Sequence, residues 1–561
     1  MKLNYKPIVW IMAILAGLSF DTLFWDKPFG INFFFFITWI LLGGLIPFWL
    51  EKIKIPWTSY LLIIPAVFFA AITFVRAEPF TIVIGVLVTL GSLVLLSMTL
   101  RNGAWYQFRF RDHFANFFKL FLNTIVGGFL FFLKVKNAKT TVSEENAANG
   151  AKEADADKSK HEGEANTTSP DDRPFIKKAA PYLRGILFAL PVLAILTMLL
   201  ASADPVFNDR IQNLFSWFSI DSLGETVFRL FYILVLAYVI LSVYFYSLFK
   251  SQEWEGKKEQ ESPSNAVLGS IEATIMLGSI NLLFLVFVLL QFTYLFGGQS
   301  NINIEGFTYA EYARRGFSEL LAVALVSLFV FYVLSMITRR ETKTKLWTFS
   351  ALGLLLVGLV TIILVSAYTR LTLYEEAYGF TRLRTLTHVF MIWTGLLLAG
   401  TAVLDILKKM DRMALILIVM IFGFGISIAL LNVDQFIVQQ NISRSISGGE
   451  QNESVPLDTG YLYSLSADAV PPLANFFQDP NTPEELKDDI GGVLACRAAA
   501  TDQQERRSWT SWHYSHSRAD DWLNDLSGAL SEYPIIEDQG YYVLINGERR
   551  SCVGDVTPFF D

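Results

Sequence analysis

The chain has 561 residues, of which 53% are hydrophobic and only 17% are charged, and its mean hydropathy is +0.41. A soluble protein carries about 25% charged residues, so this composition indicates a polytopic membrane protein. The formal net charge is −7, and from Asn441 onward 20 acidic residues stand against 8 basic ones, an acidic balance that argues against binding to nucleic acid.

Eleven apolar segments are long enough to cross a membrane, because about 20 helical residues span the hydrocarbon core. The first is interpreted as a span and not as a removable signal peptide, because Trp25, Asp26 and Lys27 follow it where a cleavage site would need small residues. The third is short and needs a tilt or flanking residues to cross. The segments are 8–24, 31–50, 60–74, 80–100, 185–201, 228–249, 268–296, 320–337, 347–368, 386–407 and 413–431.

A twelfth apolar segment, 117–135, decides how the chain is threaded. If it does not span, the short connections on the side of the N-terminus hold 14 lysines and arginines. If it spans, Lys2, Lys52 and Arg101 would lie outside. The positive-inside rule favours the first arrangement, with a cytoplasmic N-terminus and an extracytoplasmic C-terminus. Segment 117–135 is then interfacial or re-entrant.

The sequence therefore predicts an all-α polytopic membrane protein of about 11 transmembrane helices, or 12 if the interfacial segment spans. It ends in a small mixed α+β soluble domain. The charged segment after residue 135 is rich in Ala, Asn, Glu, Lys and Ser and is predicted to be a disordered cytoplasmic linker. The predicted regions are 1–100 (four helices), 101–135 (interfacial or re-entrant), 136–180 (linker), 181–440 (seven helices) and 441–561 (soluble, acidic and extracytoplasmic).

Local signals in the C-terminal region predict two helices and one hairpin. Thr482, Pro483 and two glutamates form a typical helix start, with a cap, a first-turn proline and acid near the positive end. A second helical stretch is predicted over 509–530. Residues 541–553 predict a hairpin, because Asn546-Gly547 favours a tight primed turn.

The only two cysteines of the chain, Cys496 and Cys552, both lie in this region. If the region is outside the cell, they can form a disulfide, which would stabilise the domain by roughly 4 kcal/mol on the chain-entropy estimate. The alternative is two buried free thiols.

A polar stretch between the spans 347–368 and 386–407 carries paired charges. On the favoured topology it faces outward, and three spans that begin on this face have arginine in their first turns. A cation at a helix N-terminus opposes the helix dipole at a cost of up to about 1 kcal/mol, so something must compensate it. Neighbouring glutamates could form ion pairs, or a ligand could supply an anion. The arginines are Arg229, Arg314, Arg315, Arg382 and Arg384.

Spacing favours a phosphate or pyrophosphate ligand. If Arg382 opens a helix after Gly379, then Thr381, Arg384, Thr385 and His388 share one face. The alternative is a rim of salt bridges and tyrosines that only holds the spans together. The candidate ligand-binding residues are Arg314, Arg315, Tyr374, Thr381, Arg382 and Arg384, and the candidate catalytic residues are Glu375, Glu376 and His388.

Four sequence blocks resemble a known family. They are SADPVF at 202–207, YAEYARRGF at 309–317, LYEEAYGFTRLR at 373–384 and LYSLSADAVPPL at 462–473. These blocks are similar to those of bacterial multi-pass membrane proteins grouped as domain-of-unknown-function family 4173, related to family 4153. The resemblance covers roughly residues 185–475, and it implies a fold and a membrane location but no reaction.

Other chemistry is sparse in the sequence. No GxSxG, HExxH or phosphate-loop pattern occurs, and no cofactor is expected. His513, His516 and Asp520 suit a wet helix face better than a metal site, so no metal is predicted. Within the spans, only Glu272 is expected to lie deep in the membrane, where an ionisable residue indicates function.

Three functions remain open for a protein of the bacterial cytoplasmic membrane. The first is binding of an anionic lipid or lipid-linked glycan head group at the extracytoplasmic face, with a transferase acting on such a substrate as one form. The second is a non-enzymatic sensor or scaffold that links the outer domain to the inner linker. The third is a transporter that depends on Glu272. Membrane lipids are the expected partners, protein partners are unknown, and whether the protein is an enzyme stays open.

Overall fold

The computed structural model describes residues 6–127, 223–251, 267–295, 316–447, 457–502, 508–538 and 540–552, with isolated positions 193, 196, 197, 200, 204, 207 and 210. Within these ranges, 10 helices are long and apolar enough to cross a membrane, so the chain is a multi-pass membrane protein. They match ten of the eleven predicted spans. The eleventh, 185–201, falls outside the described residues apart from the isolated positions.

The helices of the membrane part follow one another with short connections within residues 6–99 and within residues 317–447. The third predicted span is completed by its flank, because a short helix that starts at Trp57 precedes the main one. The bounds are α1 Lys6–Phe24, α2 Ile31–Leu50, α3 Trp57–Tyr60, α4 Ile63–Val75, α5 Pro79–Thr99, α6 Phe110–Leu122, α7 Leu223–Phe249, α8 Ser270–Leu295, α9 Phe317–Ile337, α10 Lys343–Tyr378, α11 Arg382–Ile406, α12 Met413–Leu431 and α13 Val433–Ser447.

Among its described residues, the C-terminal region contains five further α-helices and one sheet. Residues Asn546 and Gly547 have positive φ angles of 52° and 84°, as the predicted hairpin turn requires. The sheet has the order β1-β2-β3 and is antiparallel; its hairpin was predicted, and its first strand was not. The bounds are α14 Thr459–Ser464, α15 Val470–Gln478, α16 Glu484–Asp502, α17 Tyr514–Asp525, α18 Ser527–Leu530, β1 Ile535–Glu537, β2 Tyr541–Ile545 and β3 Glu548–Ser551.

Packing divides the chain into two compact units. The smaller comprises Tyr5–Thr22 and Phe121–Val243, and the larger comprises Leu23–Leu120 and Tyr244–Asp561. In the smaller unit, Arg229 donates to both carboxylate oxygens of Asp21, at 2.9 and 2.6 Å, and also pairs with Glu225. Arg229 was predicted in the first turn of its span but lies in the second turn of α7, and its charge is thus compensated within the protein.

Helix α10 packs against three other spans of the larger unit, α8, α9 and α11. Its 36 residues extend about 54 Å at 1.5 Å per residue, well beyond a hydrocarbon core of about 30 Å. Two polar residues of α8 bond to it: the Asn281 amide donates to the carbonyl of Leu352 at 2.9 Å, and the Gln291 amide accepts from Ser366. A shared apolar core joins α8, α9, α10, α11 and the start of α12.

The described helices of the C-terminal region share an apolar core with the ends of the membrane helices. Ile437, Val438 and Ile442 of α13 are fully buried against Leu473 and Ile490 of the C-terminal helices. The predicted domain boundary at residue 441 therefore falls inside α13. A second cluster lies under the sheet, where Cys496 and Cys552 form a disulfide with their Cα atoms 5.4 Å apart.

The helix ends of the larger unit form two groups, one at each end of the membrane helices. The ends that contact the C-terminal helices, which we call the domain end, are the starts of α2, α5 and α11 and the ends of α4 and α12. The opposite end, which we call the far end, is rich in basic residues. These are Lys52, Lys54, Arg101, Lys250, Arg339, Arg340, Lys343, Lys345, Lys408, Lys409 and Arg412.

Two expectations about the membrane part need correction. Glu272 is not deep in the membrane, because α8 starts at Ser270 and leaves Glu272 exposed in its first turn. The segment around Tyr374 is not a loop, because α10 continues to Tyr378. Residues 433–447 are also helical. In the interfacial segment, residues 110–122 form a helix, and residues 128–135 lie outside the described ranges.

Candidate functional site

A sharp turn at Gly379 joins α10 to α11 and organises the domain end. Its φ of +79° and ψ of 176° suit only glycine, and a Cβ there would lie 3.0 Å from Asn441 and Arg444. Asn441 of α13 holds the next residue, because its amide accepts from the Phe380 N–H at 2.8 Å and donates to the Phe380 carbonyl at 2.9 Å. The turn is therefore fixed against α13.

Arg382, in the first turn of α11, is compensated by buried carboxylates. Its Nε and Nη2 donate to the two carboxylate oxygens of Asp434 at 2.7 and 2.6 Å, and Glu78 Oε1 lies 4.0 Å away. The Asp434 side chain is 0% exposed. The backbone N–H of Arg382 donates to the Tyr461 hydroxyl at 2.7 Å. Arg382 thus connects the membrane helices to the C-terminal helices.

Asp468 of the C-terminal region makes a second connection. It accepts from the Ala77 N–H at 2.7 Å and from the Ser515 hydroxyl at 2.5 Å, and Arg76 lies 3.9 Å away. Glu78 caps α5, because its oxygens accept from the N–H groups of the helix's first turn. Burial raises the pKa of Asp468 above its ordinary value.

A third arginine, Arg497, completes this network from α16. Its guanidinium donates to four carbonyls at the end of α14 and just beyond it, at 2.6 to 3.1 Å, which satisfies groups that a helix C-terminus leaves free. Burial lowers its pKa to about 10 and raises the pKa of Tyr461 to about 12. We call these three arginines and three carboxylates the clamp: Arg76, Arg382, Arg497, Glu78, Asp434 and Asp468.

Arg384, two residues after Arg382, has a different environment. Its guanidinium lies 3.9 Å from the ring centre of Tyr374 and 6.0 Å from that of Tyr378, and Nη1 donates to the Gly379 carbonyl at 2.5 Å. Arg444 of α13 approaches the same turn and donates to the Ala377 carbonyl at 3.0 Å. Burial first, and then the charge of Arg384, lower the pKa of Arg444. Two cations therefore converge on the end of α10.

Neither of these guanidiniums forms an ion pair with a carboxylate in the part of the chain that the structure describes. Each has five N–H donors, and a single carbonyl bond is found for each. Part of their role is to cap α10, since cations interact favourably with a helix C-terminus. The remaining donors can bind an anion.

His388, one turn after Arg384, pairs with Glu375 of α10. The His388 Nδ1 atom lies 3.0 Å from Glu375 Oε2, and Nε2 lies 3.4 Å from the Thr372 hydroxyl. Glu375 is only 3% exposed, and its other oxygen has no hydrogen-bond partner in the structure. We call the contact of α10 with α11 and Arg444 the seam; it contains Thr372, Tyr374, Glu375, Tyr378, Arg384, His388 and Arg444.

The structure thus brings together part of the predicted site. Arg384, Tyr374, Glu375 and His388 lie in the seam, whereas Arg382 lies in the clamp. Thr381 caps α11 without a side-chain hydrogen bond, and Glu376 is exposed. The predicted face of α11 also includes Thr385, which is buried with no partner for its hydroxyl. Arg314 and Arg315 lie outside the described residues.

Sequence reasoning missed the residues that complete both clusters. Arg444, Asp434, Glu78, Asp468 and Arg497 were not among the predicted site residues. The only local signals were the acidic residues next to span ends, namely Glu78 just before α5 and Asp434 just after α12. Among the described residues, no three His, Cys, Asp or Glu side chains are grouped so that they could hold a metal ion.

A family model described as "Domain of unknown function (DUF4153)" matches residues 63–476 of the chain. The match begins in the third span and includes the seam and five of the six clamp residues, with Arg497 beyond its end. It is wider than the region of resemblance found in the sequence blocks, and it points to family 4153. No curated protein and no solved structure shows significant similarity to the chain.

Proposed function

This chain belongs to the DUF4153 family, whose description names no activity, and we propose from the site itself that it binds an anionic, phosphate-bearing lipid head group at the seam. One observation carries the proposal: Arg384 and Arg444 converge on one helix turn, and neither is paired with a carboxylate among the described residues. Guanidinium groups match phosphate oxygens with paired, charge-assisted hydrogen bonds.

The surroundings of the two arginines support a head group as the ligand. The seam lies where α10 and α11 reach the end of the membrane part, so a lipid phosphate can approach from the bilayer surface. Tyr374 and Tyr378 form an aromatic wall beside Arg384. The transferase form of this hypothesis rests on Glu375 and His388, which hold a carboxylate and an imidazole one turn from Arg384.

We further propose that the domain end is extracytoplasmic and the N-terminus cytoplasmic. The far end collects the basic residues of the described connections, and basic residues favour the cytoplasmic side. The disulfide between Cys496 and Cys552 supports the same orientation, because disulfides persist in oxidising compartments. A thiol reagent that does not cross membranes, applied to intact spheroplasts before and after reduction, tests it: labelling that requires permeabilised cells would contradict it.

The binding proposal is tested with purified protein and defined lipids. Short-chain phosphatidylglycerol and a polyprenyl phosphate serve as anionic probes, and phosphatidylcholine serves as the zwitterionic reference. The double variant Arg384→Gln/Arg444→Gln should weaken binding of the anionic probes by about tenfold or more, since hydrogen bonds to charged groups contribute about 1.5–3 kcal/mol each.

The matched control is the double variant Arg549→Gln/Arg550→Gln, which removes the same charge from the exposed hairpin. It should bind like the wild type. Equal affinity of the seam variant and the wild type for both anionic probes would rule the proposal out. A preference for anionic probes that both double variants lose equally would indicate a general charge effect and no site at the seam.

The clamp favours a second candidate function, a sensor or scaffold. Tyr461, Ser466 and Asp468 of the C-terminal region bond directly to the starts of α5, α11 and α13. A change in the C-terminal domain can therefore move the helix ends. Proteins captured by the wild type but lost after Asp468→Ala would support this function, and identical captured sets would count against it.

A further inference from the structure

The loop that precedes α17 contains two tryptophans at the domain end. Its backbone touches the start of a membrane span, because the Ile31 N–H donates to the Trp512 carbonyl at 2.9 Å. The contact is close: a Cβ on Gly30 would lie 2.7 Å from the carbonyl group of Ser511. We call residues 508–512 the tryptophan loop.

The tryptophan rings lie beside side chains of two spans. The Trp509 ring is 6.4 Å from the ring of Phe35 in α2, and the Trp512 ring is 5.9 Å from the ring of Phe74 in α4. Phe35 lies in the second turn of its span and is 44% exposed, so it faces lipid. Trp509 must therefore lie at nearly the same depth as the lipid-facing Phe35.

One side of the tryptophan loop is buried in the protein, and the other side exposes an aromatic ring. Thr510 and Ser511 are buried, whereas Trp509 is 73% exposed. No hydrogen bond from the Trp509 indole to another described residue is found, so its N–H is available to a polar group outside the protein. An exposed tryptophan held beside a span is the arrangement that favours the membrane interface, where the ring is apolar and the N–H is wet.

Exposed tryptophans at the far end mark the opposite boundary of the membrane. Trp49, at the other end of α2, is 82% exposed, and Trp57 and Trp347 at the same end are each 71% exposed. Helix α2 has 20 residues and is about 30 Å long, which equals the hydrocarbon thickness. The tryptophan loop and these three residues therefore stand at opposite faces of one hydrocarbon layer.

We propose that the tryptophan loop inserts into the interfacial layer of the bilayer and holds the C-terminal domain on the membrane surface. The occupant of the exposed face is lipid, because the face is continuous with the lipid-facing side of α2. The domain is then attached at two places, by the clamp to the helix ends and by Trp509 to the bilayer. This inference does not depend on a ligand at the seam.

Spin labelling tests the depth of the loop in the full chain in lipid nanodiscs. Because the two native cysteines are bridged, Trp509→Cys introduces the single reactive thiol, and Asn546→Cys places one on the exposed hairpin turn as a control. The label at position 509 should collide more often with oxygen than with a water-soluble nickel complex, and the label at 546 should show the reverse. Equal nickel accessibility at both positions would overturn the proposal.

A second measurement uses a variant that keeps an aromatic ring at position 509. Lipids brominated near the head group quench tryptophan emission only at short range, so the wild type should lose more emission than Trp509→Phe in the same lipids. An equal loss of emission in the two proteins would also overturn the proposal. The conservative variant keeps the contact with Phe35, and its thermal unfolding curve verifies that it is folded.

Discussion

The clamp and the seam lie side by side at the domain end, yet they treat their arginines in opposite ways. Arg382 is held by a fully buried carboxylate and lies near a second one. Arg384, two residues later, contacts only carbonyl and aromatic groups among the described residues. Neighbouring positions on one helix thus have different surroundings, because successive side chains point about 100° apart and meet different elements. An arginine paired with a buried carboxylate is suited to a structural role. An arginine without such a partner keeps hydrogen-bond donors that are suited to an anionic ligand.

The largest expected effect is that of Arg382→Met in the clamp. The variant leaves Asp434 buried without its cation, and removing one partner of a buried ion pair costs about 3–5 kcal/mol. Chemical unfolding of the protein in detergent should show this loss. The control is Arg549→Gln, whose exposed pair with Asp538 is worth about 0–1 kcal/mol. Equal stability of the two variants would show that the clamp is not structural.

A smaller loss is expected for Gly379→Ala, which strains the turn that aligns the seam. A residue with a Cβ in this backbone region costs about 1–3 kcal/mol, and the added carbon would approach Arg444. Thermal unfolding measures the cost. Gly528→Ala is the matched control, because no atom lies within 4 Å of the added carbon there. A Gly379 variant as stable as the control would show that the turn is not strained.

Arg384→Gln should have little effect on stability and a large effect on binding. It removes one hydrogen bond and the contacts with the rings of Tyr374 and Tyr378, together worth about 1–2 kcal/mol. Unfolding of this variant and of Arg382→Met under the same conditions compares the seam with the clamp directly. The comparison fails if Arg384→Gln destabilises the protein as strongly as Arg382→Met.

The smallest expected effect is on pH dependence and involves Asp468. Because burial raises its pKa above the ordinary value of 3.8, the folded state holds the proton more tightly than the unfolded state. The resulting contribution to stability is fully present below 3.8 and is lost as pH rises through the folded pKa. Asp468→Asn cannot titrate, so its stability should fall less than that of the wild type over this window. Parallel unfolding curves across that pH range would contradict the prediction.

Hydropathy and turn chemistry predicted much of the fold because they act locally. Ten spans and the Asn546-Gly547 hairpin follow from runs of neighbouring residues. Strand β1 was missed because its three residues are too few to show an alternating hydropathy pattern, and no turn signal marks them. Glu272 was placed too deep because the apolar run begins before the helix does.

The sequence by itself determined that this is a multi-pass membrane protein with an acidic C-terminal region, since composition and apolar runs need no partner to be recognised. Only the tertiary structure decided which arginines are compensated. Arg382 meets Asp434 from 52 residues away, and Asp468 meets Ala77 from 391 residues away. Such contacts leave no local pattern, because their energy arises only when the chain buries both partners together. The same burial left Arg384 and Arg444 at the seam without a carboxylate among the described residues.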